Sequence, residues 1–207
     1  MSLPTPKQKS FNYMKVIQIG ANNGKDETFN FIKKNNDKIE LALIIEPIPF
    51  KSIQDSLKSQ YKEINNAIIE NIAISLDEKE FMTLYYLENS NYEVSSFSSN
   101  HTETHSPDLE KFPLREMQVP CRNINQIIDK YNIKKLDYLF IDAEGLDVHI
   151  IGAIDFNTCD IDNIIFEAAH ADGPFKQENN LREILGYLRG MGYKLEKYDD
   201  FCLIASK

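Results

Sequence analysis

Short apolar runs alternate along the chain with stretches of helical periodicity, and this alternation constrains the fold more than any other feature of the sequence. The strand-like runs lie at residues 16–19, 41–45, 68–74, 81–87, 138–141 and 161–166. Between them, apolar residues recur at helical spacing, as at Ile124, Ile127 and Ile128. Strands that are almost wholly apolar are typical of a sheet covered on both faces, and strands separated by helices pair in parallel. The sequence therefore predicts an α/β fold with a doubly wound, mostly parallel sheet.

Two further strand-like segments, at 193–197 and 201–205, lie near the C-terminal end of the sequence. The turn between them contains Asp199 and Asp200. Because strands joined by so few residues must run antiparallel, we expect the sheet to end in a C-terminal antiparallel hairpin.

Two segments break the alternating pattern. Residues 1–14 are mostly polar and include Pro4 and Pro6, which predicts a disordered leader before a single domain at 15–207. Residues 88–120 are rich in Ser, Asn and His and predict a long loop. Because a long loop in a small domain is commonly functional, this one is a candidate substrate lid.

Composition argues against several classes of partner. The formal net charge is −9 at pH 7 and only four arginines are present, whereas nucleic-acid and anionic-membrane surfaces need clustered cations. No run approaches the ~18 apolar residues of a transmembrane helix, and the first residues lack the apolar core of a signal peptide. The three cysteines are widely spaced and form no zinc or redox motif. We expect a cytoplasmic protein that binds no nucleic acid and does not insert into a membrane.

A glycine turn follows the first predicted strand. Gly20 and Gly24 enclose three residues and precede a predicted helix. The spacing is neither the Gly-x-Gly-x-x-Gly of a dinucleotide site nor a phosphate loop. Glycines at such a turn let the backbone approach a ligand, and the start of a helix offers unpaired N–H groups. The turn is thus a candidate ligand site, with an ordinary strand-to-helix turn as the alternative.

Acidic residues end three of the predicted strands. Glu46 closes the second strand, where an acid is placed to accept hydrogen bonds from ribose hydroxyls. Asp142 and Glu144 follow the strand at 138–141, and Glu167 follows the next one. Clustered acids need a positive or hydrogen-bonding partner, which a sulfonium cofactor, a divalent metal or sugar hydroxyls would supply. Helix capping is the alternative role of these side chains.

Four short motifs follow one another in the sequence: Ile-Gly-Ala-Asn-x-Gly at 19–24, Glu-Pro-x-Pro at 46–49, Asn-x-Ala-Ile-Ser at 71–75 and Asp-x-Glu-Gly at 142–145. In this order the chain resembles the FkbM-type methyltransferases from about residue 15 to its end. The resemblance implies a class I methyltransferase fold, Rossmann-like, with S-adenosylmethionine (SAM) bound across the first two strand ends.

The resemblance also implies which residues bind SAM. They are Gly20, Ala21, Asn22 and Gly24 at the methionine end, Glu46 and Pro47 at the ribose, Asn71, Ala73 and Ile74 at the adenine, and Asp142 at the junction with the substrate. Gln18 stands where the family commonly has Asp, so it can hydrogen-bond the cofactor but brings no charge to its ammonium group. The expected acceptor is a hydroxyl of a sugar, a glycan or a small secondary metabolite.

Methyl transfer to a hydroxyl needs alignment of the reacting atoms and a base for the proton. Asp142 is the first candidate base, and His170, just beyond a strand end, is the second. His101, Glu144 and Glu167 are expected to contact the substrate or to support residues that do. His105 in the same loop and His149 in a helical stretch are weaker candidates. The sequence alone assigns no metal ligands.

Two alternatives to a methyltransferase stay open. A short-chain oxidoreductase would use a Tyr-x-x-x-Lys pair, and the chain has two, Tyr131 with Lys135 and Tyr193 with Lys197. Neither follows a dinucleotide glycine motif. The other alternative is a protein of the same fold that binds SAM or a partner without catalysis, which the uncharged Gln18 favours.

Overall fold

The computed structural model describes residues 13–207. Most of the predicted leader lies outside the described residues, and its last residue, Met14, begins the first strand. The ten strands are β1 Met14–Ile19, β2 Ile39–Ile45, β3 Ala67–Glu70, β4 Ala73–Ser75, β5 Phe81–Leu87, β6 Leu114–Asn123, β7 Lys135–Ile141, β8 Asp160–Glu167, β9 Lys194–Lys197 and β10 Cys202–Ser206. The six α-helices are α1 Glu27–Lys34, α2 Lys51–Tyr61, α3 Ser99–Thr104, α4 Ile124–Lys130, α5 Asp147–Ala153 and α6 Asn179–Gly190.

Seven strands form the main sheet in the order β3-β2-β1-β7-β8-β10-β9. The first five in this order pair in parallel. β10 runs antiparallel to both β8 and β9, so the predicted C-terminal hairpin forms one edge of the sheet. The predicted α/β fold, mostly parallel with an antiparallel C-terminal end, is confirmed.

Alternating residues of the central strands supply two separate cores. On one face, Ile17 and Ile19 of β1 pack with α4, α5 and α6 in a cluster that includes Phe166. On the other face, Val16 of β1 packs with α1 and α2. Because successive side chains of a strand point to opposite faces, a strand with helices on both sides must be apolar throughout.

A second, three-stranded sheet in the order β4-β6-β5 was not predicted. The 88–120 segment is accordingly not one loop, since α3 lies within it and β6 begins at Leu114. The predicted strand at 68–74 is also divided: β3 joins the main sheet, and β4 pairs with β6 in the small one. Asn71 lies at the break, where its amide donates to the carbonyl oxygen of Glu46 at 2.7 Å.

The strand order reverses at β1, which lies between β2 and β7. The Gly20 N–H donates to Ile45 O, and the Asp142 N–H donates to Ile19 O, both at 3.0 Å. These bonds hold the ends of β1, β2 and β7 together at the point where open α/β sheets bind their ligands. No helix within the 13–207 region is long and apolar enough to cross a membrane.

Candidate active site

A cavity of about 320 Å³ opens at the carboxyl ends of β1, β2 and β7. Its volume is within the range of small-molecule sites. Apolar and acidic side chains share its wall. The residues that line it include Gly20, Asn22, Glu46, Pro47, Ile48, Ala73, Ile74, Tyr92, Phe97, Asp142 and Glu144. Most of the residues expected at a cofactor site are thereby brought to one cavity.

Gly20 is fixed by the packing of β1 against β7. Its φ of +79° is in the left-handed region, and a Cβ on it would lie 1.8 Å from the carbonyl oxygen of Asp142. Gly24, at φ +73°, instead leaves room for Leu57 and Tyr61 of α2. The glycines therefore admit neighbouring parts of the protein itself, whereas the sequence suggested that they admit a ligand. Gly20 lines the cavity and Gly24 does not.

The Glu46 carboxylate joins the end of β2 to the glycine turn. It is 3% exposed and accepts hydrogen bonds from Asn22 N at 2.6 Å and from Ile48 N at 2.8 Å. Burial raises the pKa of Glu46 to about 7. A carboxylate has about four acceptor positions, so Glu46 keeps acceptor capacity beyond its backbone contacts with Asn22, Ile48 and Ala21.

Three acids meet at the ends of β7 and β8. Asp142 opens onto the cavity, and burial together with the charges of Glu144 and Glu167 raises its pKa to about 8. Burial and the Glu167 charge also raise the pKa of Glu144 to about 8. Among the described residues no lysine or arginine forms an ion pair with any of the three. Asp142 and Glu144 are thus two carboxyl groups at the edge of the site that protonate near neutral pH.

Asp147, which the sequence analysis did not single out, braces the two strand ends. Its side chain is buried and accepts from Ala143 N at 3.2 Å and from Glu167 N at 3.1 Å. Asp147 is the first residue of α5. The one signal of its role in the sequence is an acidic residue at the start of a helix that follows a strand.

A smaller cavity of about 220 Å³ adjoins the first, and Phe97 and Glu144 line both. His101 and His170 lie in its wall. His101 Nε2 lies 2.8 Å from Glu144 Oε2, and burial lowers the pKa of this histidine. His170 Nδ1 lies 3.0 Å from a carboxylate oxygen of Glu167. The predicted residues therefore form two hydrogen-bonded pairs, His101 with Glu144 and His170 with Glu167, and His170 Nδ1 lies 3.9 Å from Glu144 Oε2.

The segment before α3 covers the larger cavity with residues that sequence reasoning missed. Tyr92 packs against Phe50 with ring centroids 4.8 Å apart, and Ser96 Oγ donates to Glu144 O at 2.9 Å. Asn22 donates from its amide to Asn91 O at 3.3 Å. Aromatic residues in a predicted loop are the one sequence signal that points to Tyr92 and Phe97.

Four of the residues expected to bind the cofactor do not line the larger cavity: Gln18, Ala21, Gly24 and Asn71. Gln18 is 2% exposed, donates to Asp26 at 2.7 Å and accepts from the Tyr61 hydroxyl at 2.6 Å. The hydrogen bonds of its amide thus join β1 to the start of α1 and to α2. Gln18 also lines a small separate cavity with Gly20 and Asp142, and its contact with the cofactor stays a prediction.

Neither Tyr–Lys pair has the environment of an oxidoreductase site. The Tyr131 hydroxyl contacts Glu70, while Lys135 forms an ion pair with Asp162 at 3.0 Å. The Tyr193 hydroxyl donates to the carbonyl oxygen of Ile161 at 2.6 Å. None of these tyrosines or lysines lines either cavity.

Comparison with known proteins gives one family. The family described as "Methyltransferase FkbM domain" matches residues 18–195. No curated protein is significantly similar in sequence to the chain.

Two solved structures share the fold. The methyltransferase FkbM of Methylobacillus flagellatus KT aligns with a TM-score of 0.54 and 15% identity, over 96% of this chain and 45% of that protein. The fibrillarin pre-rRNA processing protein of Methanococcus jannaschii aligns with a TM-score of 0.50 and 12% identity, over 94% of this chain and 66% of that protein. The chain therefore spans less than two thirds of the length of either.

Proposed function

The chain belongs to the FkbM methyltransferase family, and from this premise we propose that it transfers the methyl group of SAM to a hydroxyl oxygen of a small molecule or glycan. The observation that carries the proposal is the larger cavity, where the family's glycine turn, Glu46, the β4 residues and Asp142 converge. SAM would supply a methyl group on a positively charged sulfur, which is open to direct displacement.

The donor groups of the cavity fit the parts of SAM. Glu46 lines the cavity and keeps acceptor capacity beyond its backbone contacts, so it is suited to ribose hydroxyls. Ile48, Ala73 and Ile74 form an apolar wall that suits the adenine ring. Asp142 and Glu144 are carboxyl groups whose ionised forms the positive sulfonium and ammonium groups would stabilise.

The ammonium group has a second carboxylate within reach of the glycine turn. Asp26 accepts from Gln18, and both line a small cavity with Gly20 and Asp142. In this proposal Asp26 supplies the charge that Gln18 lacks, and Gln18 holds Asp26 in place.

Asp142 is the proposed base. An effective general base has a pKa close to the working pH, and burial, together with the charges of the neighbouring acids, raises the pKa of Asp142 to about 8. Its backbone is fixed by the hydrogen bond to Ile19 and by the close contact with Gly20. His170 lines only the smaller cavity, where its role is to orient the Glu144–Glu167 carboxylates.

The acceptor is proposed to enter through the smaller cavity, past Glu144, which lines both cavities, so that its hydroxyl reaches Asp142 in the larger one. The segment around Tyr92 and Phe97 then takes the part of the substrate lid expected for the 88–120 region. Closure of such a segment over the site would exclude water from the reacting atoms.

The test is a methyl-transfer assay with SAM that carries a deuterated methyl group. Sugars, glycans and hydroxylated aromatic compounds are offered as acceptors, and products are detected by mass and assigned as methyl ethers by NMR. A product with the label on oxygen, absent with Asp142→Asn, supports the proposal. Labelled product only on nitrogen or sulfur, or binding of SAM without any product, would contradict it.

A further inference from the structure

Three imidazole rings from two separate segments meet beside the smaller cavity. His101 lies on α3 and His105 is its C-terminal cap, four residues later and on the same helical face. His170 reaches them from the loop after β8. The three ring centroids lie 4.4, 4.8 and 4.9 Å apart, and one ring nitrogen from each residue lies within 4.8 Å of the others.

Hydrogen bonds fix which ring nitrogens are free. His105 Nδ1 lies 2.8 Å from the carbonyl oxygen of His101, so it must be the protonated nitrogen. His170 Nδ1 donates in the same way to Glu167 at 3.0 Å. The Nε2 atoms of His105 and His170 are therefore lone-pair acceptors, and both are buried without a hydrogen-bond partner among residues 13–207. His170 is only 7% exposed, so its ring is shielded from bulk water.

We propose that His101, His105 and His170 form a site for a divalent transition metal of the zinc type. Neutral imidazole nitrogens are preferred ligands of Zn²⁺, and three of them with an open fourth position are typical of catalytic zinc sites. In tetrahedral coordination at the usual Zn–N distance, the ligand nitrogens are about 3.3 Å apart. The three nitrogens here lie within 4.8 Å of one another, so ring rotations that bring them about 1.5 Å closer would form the site.

The surroundings match those of a metal-binding histidine cluster. Ligating imidazoles usually donate their second N–H to a carboxylate or a backbone carbonyl, which sets the tautomer. Here the Glu144 carboxylate accepts from His101 Nε2, and the Glu167 carboxylate accepts from His170 Nδ1. The carbonyl oxygen of His101 accepts from His105 Nδ1. In the described part of the chain no lysine or arginine pairs with either glutamate, so a dication would balance their charge.

The site would do two things. It would link α3, which contributes His101 to the wall of the smaller cavity, to the loop after β8. His101 and His170 line the smaller cavity, and an acceptor hydroxyl bound there would become the fourth ligand of the ion, which would lower the pKa of that hydroxyl. This second role rests on the proposed methyl transfer, whereas metal binding itself does not.

The test uses the full chain, prepared without a polyhistidine tag and freed of metal by chelation. Co²⁺ serves as the spectroscopic probe, because tetrahedral nitrogen-bound Co²⁺ absorbs visible light strongly, and Zn²⁺ is then titrated as a competitor. The variants are His105→Gln and His170→Gln. His149→Gln is the matched control, because this exposed histidine lines the same smaller cavity but lies outside the cluster.

We expect one Co²⁺ per chain with a tetrahedral spectrum, displaced by one Zn²⁺, in the wild type and in His149→Gln. Affinity should fall at least about 100-fold in both cluster variants. Absence of the tetrahedral spectrum in the wild type, or equal affinity in His105→Gln, would overturn the proposal and leave a packed histidine cluster. Titration of each variant with S-adenosylhomocysteine, which reports on folding and on the cofactor site, separates this result from failure of the proposed function.

Discussion

Glu46 combines a structural and a binding role in one carboxylate. Backbone N–H groups from two different segments fix its position, and the residue lines the cavity. The proposed ribose contact is therefore built on the same bonds that join β2 to the glycine turn. A buried acid in this position is also sensitive to pH.

Binding of S-adenosylhomocysteine should strengthen as the pH rises from 6 to 8. Burial raises the pKa of Glu46 to about 7, so the proton is present below that value and absent above it. Only the ionised carboxylate accepts from both ribose hydroxyls. Calorimetric titration across this range measures the effect, and Glu46→Gln should flatten the profile. An unchanged profile in Glu46→Gln would assign the pH dependence to another group.

Substitution of Asp142 by Asn should lower kcat by about 10²- to 10⁴-fold, the usual contribution of a general base. The affinity for S-adenosylhomocysteine should change much less, because Asn keeps the shape of the side chain and the backbone contact with β1. Steady-state kinetics and calorimetry measure the two quantities. Asp129→Asn, an exposed acid on α4, is the control. A kcat within twofold of the wild type would exclude Asp142 as the base.

The turn between β1 and α1 depends on a glycine for reasons of packing. Gly20→Ala should destabilise the protein by more than about 3 kcal/mol, because the residue has positive φ and its Cβ would overlap the Asp142 backbone. Gly186→Ala on α6 meets no atom within 4 Å and should stabilise by about 0.5–1 kcal/mol. Urea unfolding of both variants measures the difference. Equal stabilities would mean that β1 and β7 pack less closely than described.

The sequence predicted the elements whose pattern reflects burial on two faces. Strands β1, β2, β7 and β8 are nearly continuous apolar runs because helices cover both sides of the sheet. β6 escaped prediction because only Val119 and Cys121 of its ten residues are buried, and because Pro120, which cannot donate a ladder hydrogen bond, lies between them. Its pairing with β5 and β4 is a tertiary contact without a local signal.

The same distinction applies to the candidate site. Motif residues at strand ends, such as Glu46 and Asp142, could be placed at the cavity because strand ends share one edge of a parallel sheet. The surroundings of Gln18 could not be predicted, because its position on a strand does not show that its amide forms hydrogen bonds with Asp26 and Tyr61. The meeting of His101, His105 and His170 likewise depends on how α3 packs against the loop after β8.

For the whole molecule, negative charge is concentrated where the proposed cofactor is positive. The net charge is −9, and Asp142, Glu144 and Glu167 lie at one edge of the main sheet without a lysine or arginine partner among residues 13–207. This arrangement suits a sulfonium cofactor and, beside it, a divalent cation. The resemblance of the sequence to FkbM-type methyltransferases is confirmed by a match over residues 18–195.

The most direct test of the central claim is calorimetric titration with S-adenosylhomocysteine of the wild type, Glu46→Ala and Glu40→Ala. Glu40 lies on the same strand, β2, but is exposed and pairs with Lys15. The account predicts one site per chain, unchanged in Glu40→Ala and weakened about 30-fold in Glu46→Ala, since loss of charge-assisted hydrogen bonds costs about 2 kcal/mol. A folded wild type that binds no ligand, or equal affinity in Glu46→Ala, would contradict it.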